Sequence, residues 1–197
     1  MLLYDSRVSG NCYKVRLLLA HLGLDCERRE LDVVDRSNRA EVLGELNPAL
    51  RVPTLVFDDG RALGESNAII FHLAEGTAYL PEDAFARAQV LQWQFFEQYS
   101  HEPYIAVLRF WRHAEMTPSP PELEAKRRGG EAALAALERH LGPRSFLVGE
   151  RYTIADIALY AYTHVADEAG FELGRLPAIR AWLARVSEQP GHVTIDA

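Results

Sequence analysis

Near residue 75 the spacing of apolar residues changes character, and that change limits the folds open to this chain more than any other feature. Before it, short apolar runs alternate with helical ones. Leu2-Leu3-Tyr4 reads as a strand, and Val15, Leu18, Leu19 and Leu22 then recur at helical spacing up to Gly23, a C-cap. A second strand is expected at about 26–33 and a weakly helical polar stretch at about 38–46. Thr54-Leu55-Val56-Phe57 is rich in β-formers and leads into the turn signal Asp58-Asp59-Gly60, with Ala62-Leu63 as the return strand and a helix over 66–73. This order mixes one parallel crossover with one hairpin, the signature of a small four-stranded α/β sheet with helices on its faces.

After residue 75 the strands stop. Residues 76–83, with Gly76, Thr77 and Pro81, read as a linker. One long helical pattern covers 84–115, with Val90, Trp93, Phe96, Tyr104, Val107 and Trp111 as its expected buried members, and residues 116–121 (MTPSPP) break it. A helix resumes over 122–141 with Leu134, Leu137 and Leu141 on one stripe. Gly129-Gly130 inside it costs about 1 kcal/mol per glycine relative to alanine, and close helix packing is the simplest reason for the pair. Thr153-Ile154-Ala155-Asp156 is a capping box in its Asp form, so Asp156 is assigned to capping. A last helix over 176–187 is closed by Pro190-Gly191. The chain therefore divides into an α/β domain, 1–75, and an all-α domain, 84–197.

Charge and cysteine content narrow the function. With 21 Lys and Arg against 28 Asp and Glu, the formal net charge is −7, and both halves share the acidic excess. Neither offers the basic face that nucleic acid or an anionic membrane needs. No stretch of about 18 apolar residues exists to span a membrane, and the opening residues lack the pattern of a signal peptide. A cytoplasmic protein is expected. The two cysteines, Cys12 and Cys26, form no CxxC pair, and the seven histidines show no ligand spacing, so no metal site is expected. Cys26, placed in a strand, is expected to be buried and inert.

Three segments carry chemistry. Ser9-Gly10-Asn11-Cys12-Tyr13-Lys14 lies at a strand-to-helix junction, where free amide groups and a partial positive charge hold anions and a hydroxyl can donate to one. Simple capping by Ser9 or Asn11 is the competing role. In Asn47-Pro48-Ala49-Leu50-Arg51-Val52-Pro53-Thr54, a proline directly precedes a strand. A trans bond makes it a strand initiator; a cis bond turns the Val52 backbone outward, free to pair with an extended ligand. Gly64-Glu65-Ser66-Asn67-Ala68-Ile69 is a glycine turn into a helix, suited either to a plain cap or to a group bearing both an amine and a carboxylate.

Taken in this order, the three segments resemble the glutathione-binding half of the cytosolic glutathione transferases. Residues 1–75 resemble that family's thioredoxin-like N-terminal domain. The linker and helical half resemble its C-terminal domain, whose helix-start motif Thr153-Ile154-Ala155-Asp156 matches. Arg51-Val52-Pro53 and Glu65-Ser66-x-Ala68-Ile69 are the most specific elements, and the likeness is nearest to bacterial members close to the serine-using theta, phi and zeta classes. The resemblance implies that Val52, helped by a cis Pro53, pairs its backbone with the cysteinyl part of glutathione. Glu65 and Ser66 would hold the γ-glutamyl end, and Arg51 with Arg39 the glycine carboxylate. It places Ser9 as the catalytic hydroxyl, with Asn11 and Cys12 as competitors.

The implied activity is detoxifying conjugation of glutathione to small hydrophobic electrophiles, or attack on a peroxide, in a homodimer. Tyr104, Leu108 and Trp111 would line the electrophile pocket. The alternatives are a non-catalytic binding or regulatory protein on the same fold and a thiol-disulfide reductase using Cys12. For the transferase, chemistry turns on acidity. A free thiol with pKa about 8.5 is only a few per cent thiolate near pH 7, and lowering it by about 2 units takes roughly 2.7 kcal/mol. One charge-assisted hydrogen bond from Ser9 plus the helix terminus supplies that, with no metal or general base.

Overall fold

The computed structural model describes all residues, 1–197, as two compact units: 1–77 together with 190–197, and 78–189. The last eight residues thus belong to the first unit, whereas the sequence pattern assigns them to the helical one.

In the first unit, β1 (Leu2–Asp5), α1 (Gly10–Leu22), β2 (Glu27–Glu30), α2 (Arg39–Leu43), β3 (Thr54–Val56), β4 (Ala62–Gly64) and α3 (Ser66–Leu73) follow the expected order. The sheet order is β2-β1-β3-β4, with β1 and β2 parallel and the other two pairs antiparallel. Leu3 sits at its centre, opposite both Arg28 and Leu55, and is fully buried. β2 is shorter than expected and reads Glu-Arg-Arg-Glu, exposed at every position. A charged edge strand discourages pairing with another chain. Cys26 precedes this strand and is only partly covered, which corrects its expected place inside a strand and buried.

Helix α1 departs from a one-sided pattern. Every side chain from Cys12 to Leu19 is buried, Lys14 and Arg16 included. Gly23, at φ 62°, ends the helix in the left-handed region that glycine enters without a Cβ penalty, returning its amide to Ala20. The turn 57–61 closes the hairpin, with Gly60 at φ 86°.

The second unit contains α4 (Ala84–Phe96), a π-helical segment (Glu97–His101), α5 (Glu102–His113), α6 (Pro120–Leu141), α7 (Ile154–Thr163) and α8 (Pro177–Ser187), with 3₁₀ turns at Ala166–Ala169 and Leu173–Arg175. The long pattern 84–115 is thus two α-helices joined by one π turn. Its buried stripe is Val90, Gln94, Glu97, His101, Ile105 and Leu108. The expected members Trp93, Phe96, Tyr104, Val107 and Trp111 are only half-buried. Two of the three polar residues in this stripe show their partners directly: His101 Nε2 lies 2.9 Å from Thr163 Oγ1, and Gln98 Nε2 donates to Glu97 Oε2 at 2.9 Å.

Helix α6 starts two residues earlier than expected, with prolines in its first turn, where a missing amide hydrogen costs nothing. Glu122 accepts from the Ser119 amide at 3.0 Å and its hydroxyl at 2.6 Å. The glycine pair does serve close packing. A Cβ on Gly129 would lie 2.2 Å from the Tyr104 ring, and one on Gly130 2.2 Å from the Phe171 ring. Helix α7 is buried along its entire length, Asp156 and Thr163 included.

Candidate functional site

The site is built where two helices of the first unit begin. Ser9 is the N-cap of α1, with φ −83° and ψ 119°, and its Oγ accepts the Cys12 amide at 3.3 Å. Capping uses the oxygen as an acceptor, and a hydroxyl can donate at the same time; the Cys12 side chain is its neighbour there. The two roles weighed for Ser9 are therefore compatible. The amide of Ser9 is itself held by the Ser6 carbonyl at 3.0 Å.

Asn11 does not cap. Its Oδ1 accepts Lys14 Nζ at 2.8 Å and Ser66 Oγ at 3.2 Å, and Lys14 Nζ also lies 3.4 Å from Ser66 Oγ. This triad ties the start of α1 to the start of α3. Lys14 is fully buried and was not among the expected site residues. A lysine in a helical pattern reads as a solvent-facing residue, and no local signal reverses that.

Cys12 is fully buried, and burial pushes its thiol well above the ordinary cysteine value. A thiol inaccessible and held protonated is a poor nucleophile. Burial and a raised thiol pKa set Cys12 behind Ser9 as the reactive group in this conformation.

The second segment is shaped by Asn47, another residue the sequence reading did not single out. Buried at 6% exposure, it donates from Nδ2 to the Arg51 carbonyl at 3.1 Å and to Thr54 Oγ1 at 2.9 Å, and accepts the Ala49 amide at 3.0 Å. The Val52-Pro53 bond is cis. The ladder of β3 begins only at Thr54, so the Val52 backbone lies outside it. Arg51 is exposed. A Cβ on Gly64 would come within 2.8 Å of Asn47 Nδ2, so this glycine lets the loop 47–54 pack against β4.

In the third segment, Glu65 precedes α3 at φ 63° and ψ 109°, a region costly for a residue with a Cβ. Its side chain is exposed, while Ser66 is 3% exposed. No side chain caps α3 at this strained start. Arg39, on α2, is buried. Its Nη2 donates to the Asp32 carbonyl at 2.5 Å, and its Nε and Nη1 have no partner.

Of the residues expected to line an electrophile pocket, Leu108 and Trp111 share a cavity of about 330 Å³ in the helical unit with Met116 and Leu123. Tyr104 is not among its lining residues. Its ring packs on Gly129 of α6, beneath Lys126 Nζ at 5.4 Å from the ring centroid.

A thioredoxin-like sheet with a hydroxyl at the start of α1, a loop backbone outside the ladder ahead of a cis proline, and a strained start to α3, continued by an all-helical unit, defines the glutathione transferase fold. Comparison with known proteins agrees. Residues 3–78 match the family model "Glutathione S-transferase, N-terminal domain" and residues 120–185 match "Glutathione S-transferase, C-terminal domain". The chain belongs to the glutathione S-transferase family. A crystal structure of glutathione S-transferase from Pseudomonas fluorescens Pf-5 is 48% identical and superposes with a TM-score of 0.95 over 98% of both chains. Glutathione S-transferase-like protein LUC7 of a Fusarium species is 31% identical over 94% of this chain and 88% of its own length. Disulfide-bond oxidoreductase YfcG of Escherichia coli is 27% identical over 91% of this chain and 87% of its own length.

Proposed function

We propose that the protein is a glutathione transferase that holds glutathione on its first unit, stabilises the thiolate with Ser9 and conjugates it to small hydrophobic electrophiles. The observation that carries this reading is Ser9 itself: an N-cap whose oxygen accepts the Cys12 amide, at a helix start that favours negative charge, with a hydroxyl that can turn from the Cys12 side chain to a bound sulfur. The Val52 backbone pairs with the cysteinyl residue. The amide groups at the start of α3 receive the γ-glutamyl carboxylate, with Glu65 facing the amine. Arg51 and Arg39 take the glycine carboxylate; the two unpartnered donors of Arg39 are what such an anion satisfies. Leu108 and Trp111 offer apolar surface to the electrophile.

The test is a titration of bound glutathione followed by thiolate absorbance. Ser9→Ala is expected to raise the thiol pKa by about 1–2 units and to lower turnover at neutral pH by roughly 10- to 100-fold, with the loss shrinking at alkaline pH. An unchanged titration would remove Ser9 as the activating group.

A homodimer is part of the same reading. Phe85, Phe95 and Tyr99 stand 73%, 68% and 84% exposed along α4 and its π segment, a level of exposure that large aromatic residues rarely show without a partner surface. Phe95→Glu, beside Tyr99 one turn on, is expected to shift the protein from dimer to monomer in sedimentation velocity. A variant that sediments like the parent would place the interface elsewhere.

A further inference from the structure

Among the groups the proposed reaction does not use, one buried cluster reaches the turn that presents Ser9. Arg16 lies two turns into α1, seven residues after Ser9, with its side chain 4% exposed. Its guanidinium spans four acceptors. Nη1 donates to Asp5 Oδ1 at 2.7 Å and to the Ser6 carbonyl at 3.2 Å; Nη2 donates to the Arg7 carbonyl at 3.1 Å and to the Ile195 carbonyl at 2.6 Å. The Ser6 carbonyl is the same one that holds the Ser9 amide. From the other side, the Arg7 amide donates to Glu30 Oε1 at 2.7 Å.

The fourth acceptor comes from the far end of the chain. Residues 190–197 are fastened onto the first unit by side chains of α1 and β2. Tyr13 donates its hydroxyl to the Val193 carbonyl at 2.7 Å, His21 Nδ1 meets the Pro190 carbonyl at 2.8 Å, and Arg28 Nη1 donates to the Ala197 carbonyl at 2.8 Å. The Ile195 side chain is itself buried. Arg28 Nε also shares Asp5, whose carboxylate is fully buried and paired with both arginines.

We infer that Arg16 is the positioning residue for Ser9, holding the β1–α1 turn by the carbonyls of Ser6 and Arg7, and that the segment 190–197 completes its hold. The inference rests on the reading of Ser9 above. A planar fork can span these acceptors at once; an ammonium on a flexible stem cannot, so lysine at this position keeps the charge beside Asp5 and loses the geometry. Alignment of the hydroxyl with the sulfur governs thiolate stabilisation, whereas glutathione is gripped by residues 51–53 and 65–66. The two properties therefore separate.

Arg16→Lys is expected to raise the thiol pKa of bound glutathione by about one unit and to lower kcat at neutral pH about tenfold, while KM for glutathione stays within about threefold. The lost activity returns as pH passes the new pKa. Deletion of residues 194–197, which removes the Ile195 carbonyl but leaves Val193, is expected to act in the same direction. A lowered melting temperature with an unmoved pH profile would overturn the inference and leave Arg16 a structural residue only. If Ser9→Ala shifts the thiol pKa and Arg16→Lys does not, the positioning role fails alone. If the parent protein binds no glutathione, or Ser9→Ala leaves the titration unchanged, the reading of Ser9 fails and this inference falls with it. Should Arg16→Lys give no folded protein, the deletion decides by the same readout.

Discussion

Asp156→Ala is expected to destabilise the protein by about 3–5 kcal/mol, a large share of the 5–15 kcal/mol that separates folded from unfolded states of ordinary domains. The carboxylate is fully buried and accepts four hydrogen bonds. Oδ1 takes the Leu147 amide and the Trp182 indole, both at 2.9 Å, and Oδ2 takes the Thr153 amide at 2.9 Å and its hydroxyl at 3.2 Å. It thereby fastens the start of α7, the segment before it and α8 to one point. Alanine leaves three N–H donors buried with nothing to accept them, each costing about 1–3 kcal/mol.

The same residue gives the protein a pH signature. Burial pushes the Asp156 carboxyl up to about 6, against the pull of its hydrogen bonds. A carboxyl whose pKa is higher folded than unfolded favours the folded state as pH falls from about 6 towards 4 and withdraws that favour as pH rises through 6. The stability gap between the parent and Asp156→Ala is therefore expected to be wider at pH 5 than at pH 8 in urea denaturation, by on the order of 1 kcal/mol. A gap that narrows at pH 5 would mean that the hydrogen bonds outweigh burial and hold the group ionised.

How much of this was legible in the residues depends on the reach of each interaction. The capping box at Thr153 and Asp156 and the left-handed close of α1 at Gly23 operate within a few residues, so their sequence signals are complete and the structure matches them. The order of elements along the chain follows from alternation and turn signals, which are equally local, whereas the pairing of β1 with β3 joins residues some fifty positions apart. The ends of β2 were not legible, because a strand of four charged residues has no apolar alternation to mark it. The buried stripe of α4 and α5 was misread for a related reason. Gln94, Glu97 and His101 look like a solvent face, and the contact of His101 with Thr163, 62 residues on, is one that no local pattern announces. The same holds at the site. The segments around Ser9, Val52 and Ser66 announced themselves through glycine, proline and hydroxyl patterns. Lys14, Asn47 and the 190–197 strap act through contacts that no local pattern encodes.

Gly130→Ala is expected to cost about 1–3 kcal/mol, although the same change in an unobstructed helix interior gains about 1 kcal/mol. The sign is decided by space. A methyl group at Gly130 would sit 2.2 Å from Cζ of Phe171, inside any contact a carbon can make, and that ring is itself 7% exposed, so it has little room to retreat. Relief requires α6 to move away from the segment between α7 and α8. Gly129→Ala faces the Tyr104 ring at the same 2.2 Å, but Tyr104 is half-buried and can swing towards solvent, giving up its contact with Lys126. The loss at Gly129 is therefore expected to be the smaller of the two in thermal unfolding. The ordering also tests the assignment of Tyr104 to helix packing. Gly129→Ala displaces that ring, so it should leave turnover of small electrophiles within about twofold of the parent, well under the roughly 1.4 kcal/mol that a tenfold loss represents. A Gly130→Ala protein that melts higher than the parent would show that the close approach of Phe171 to α6 is not a constraint on the fold.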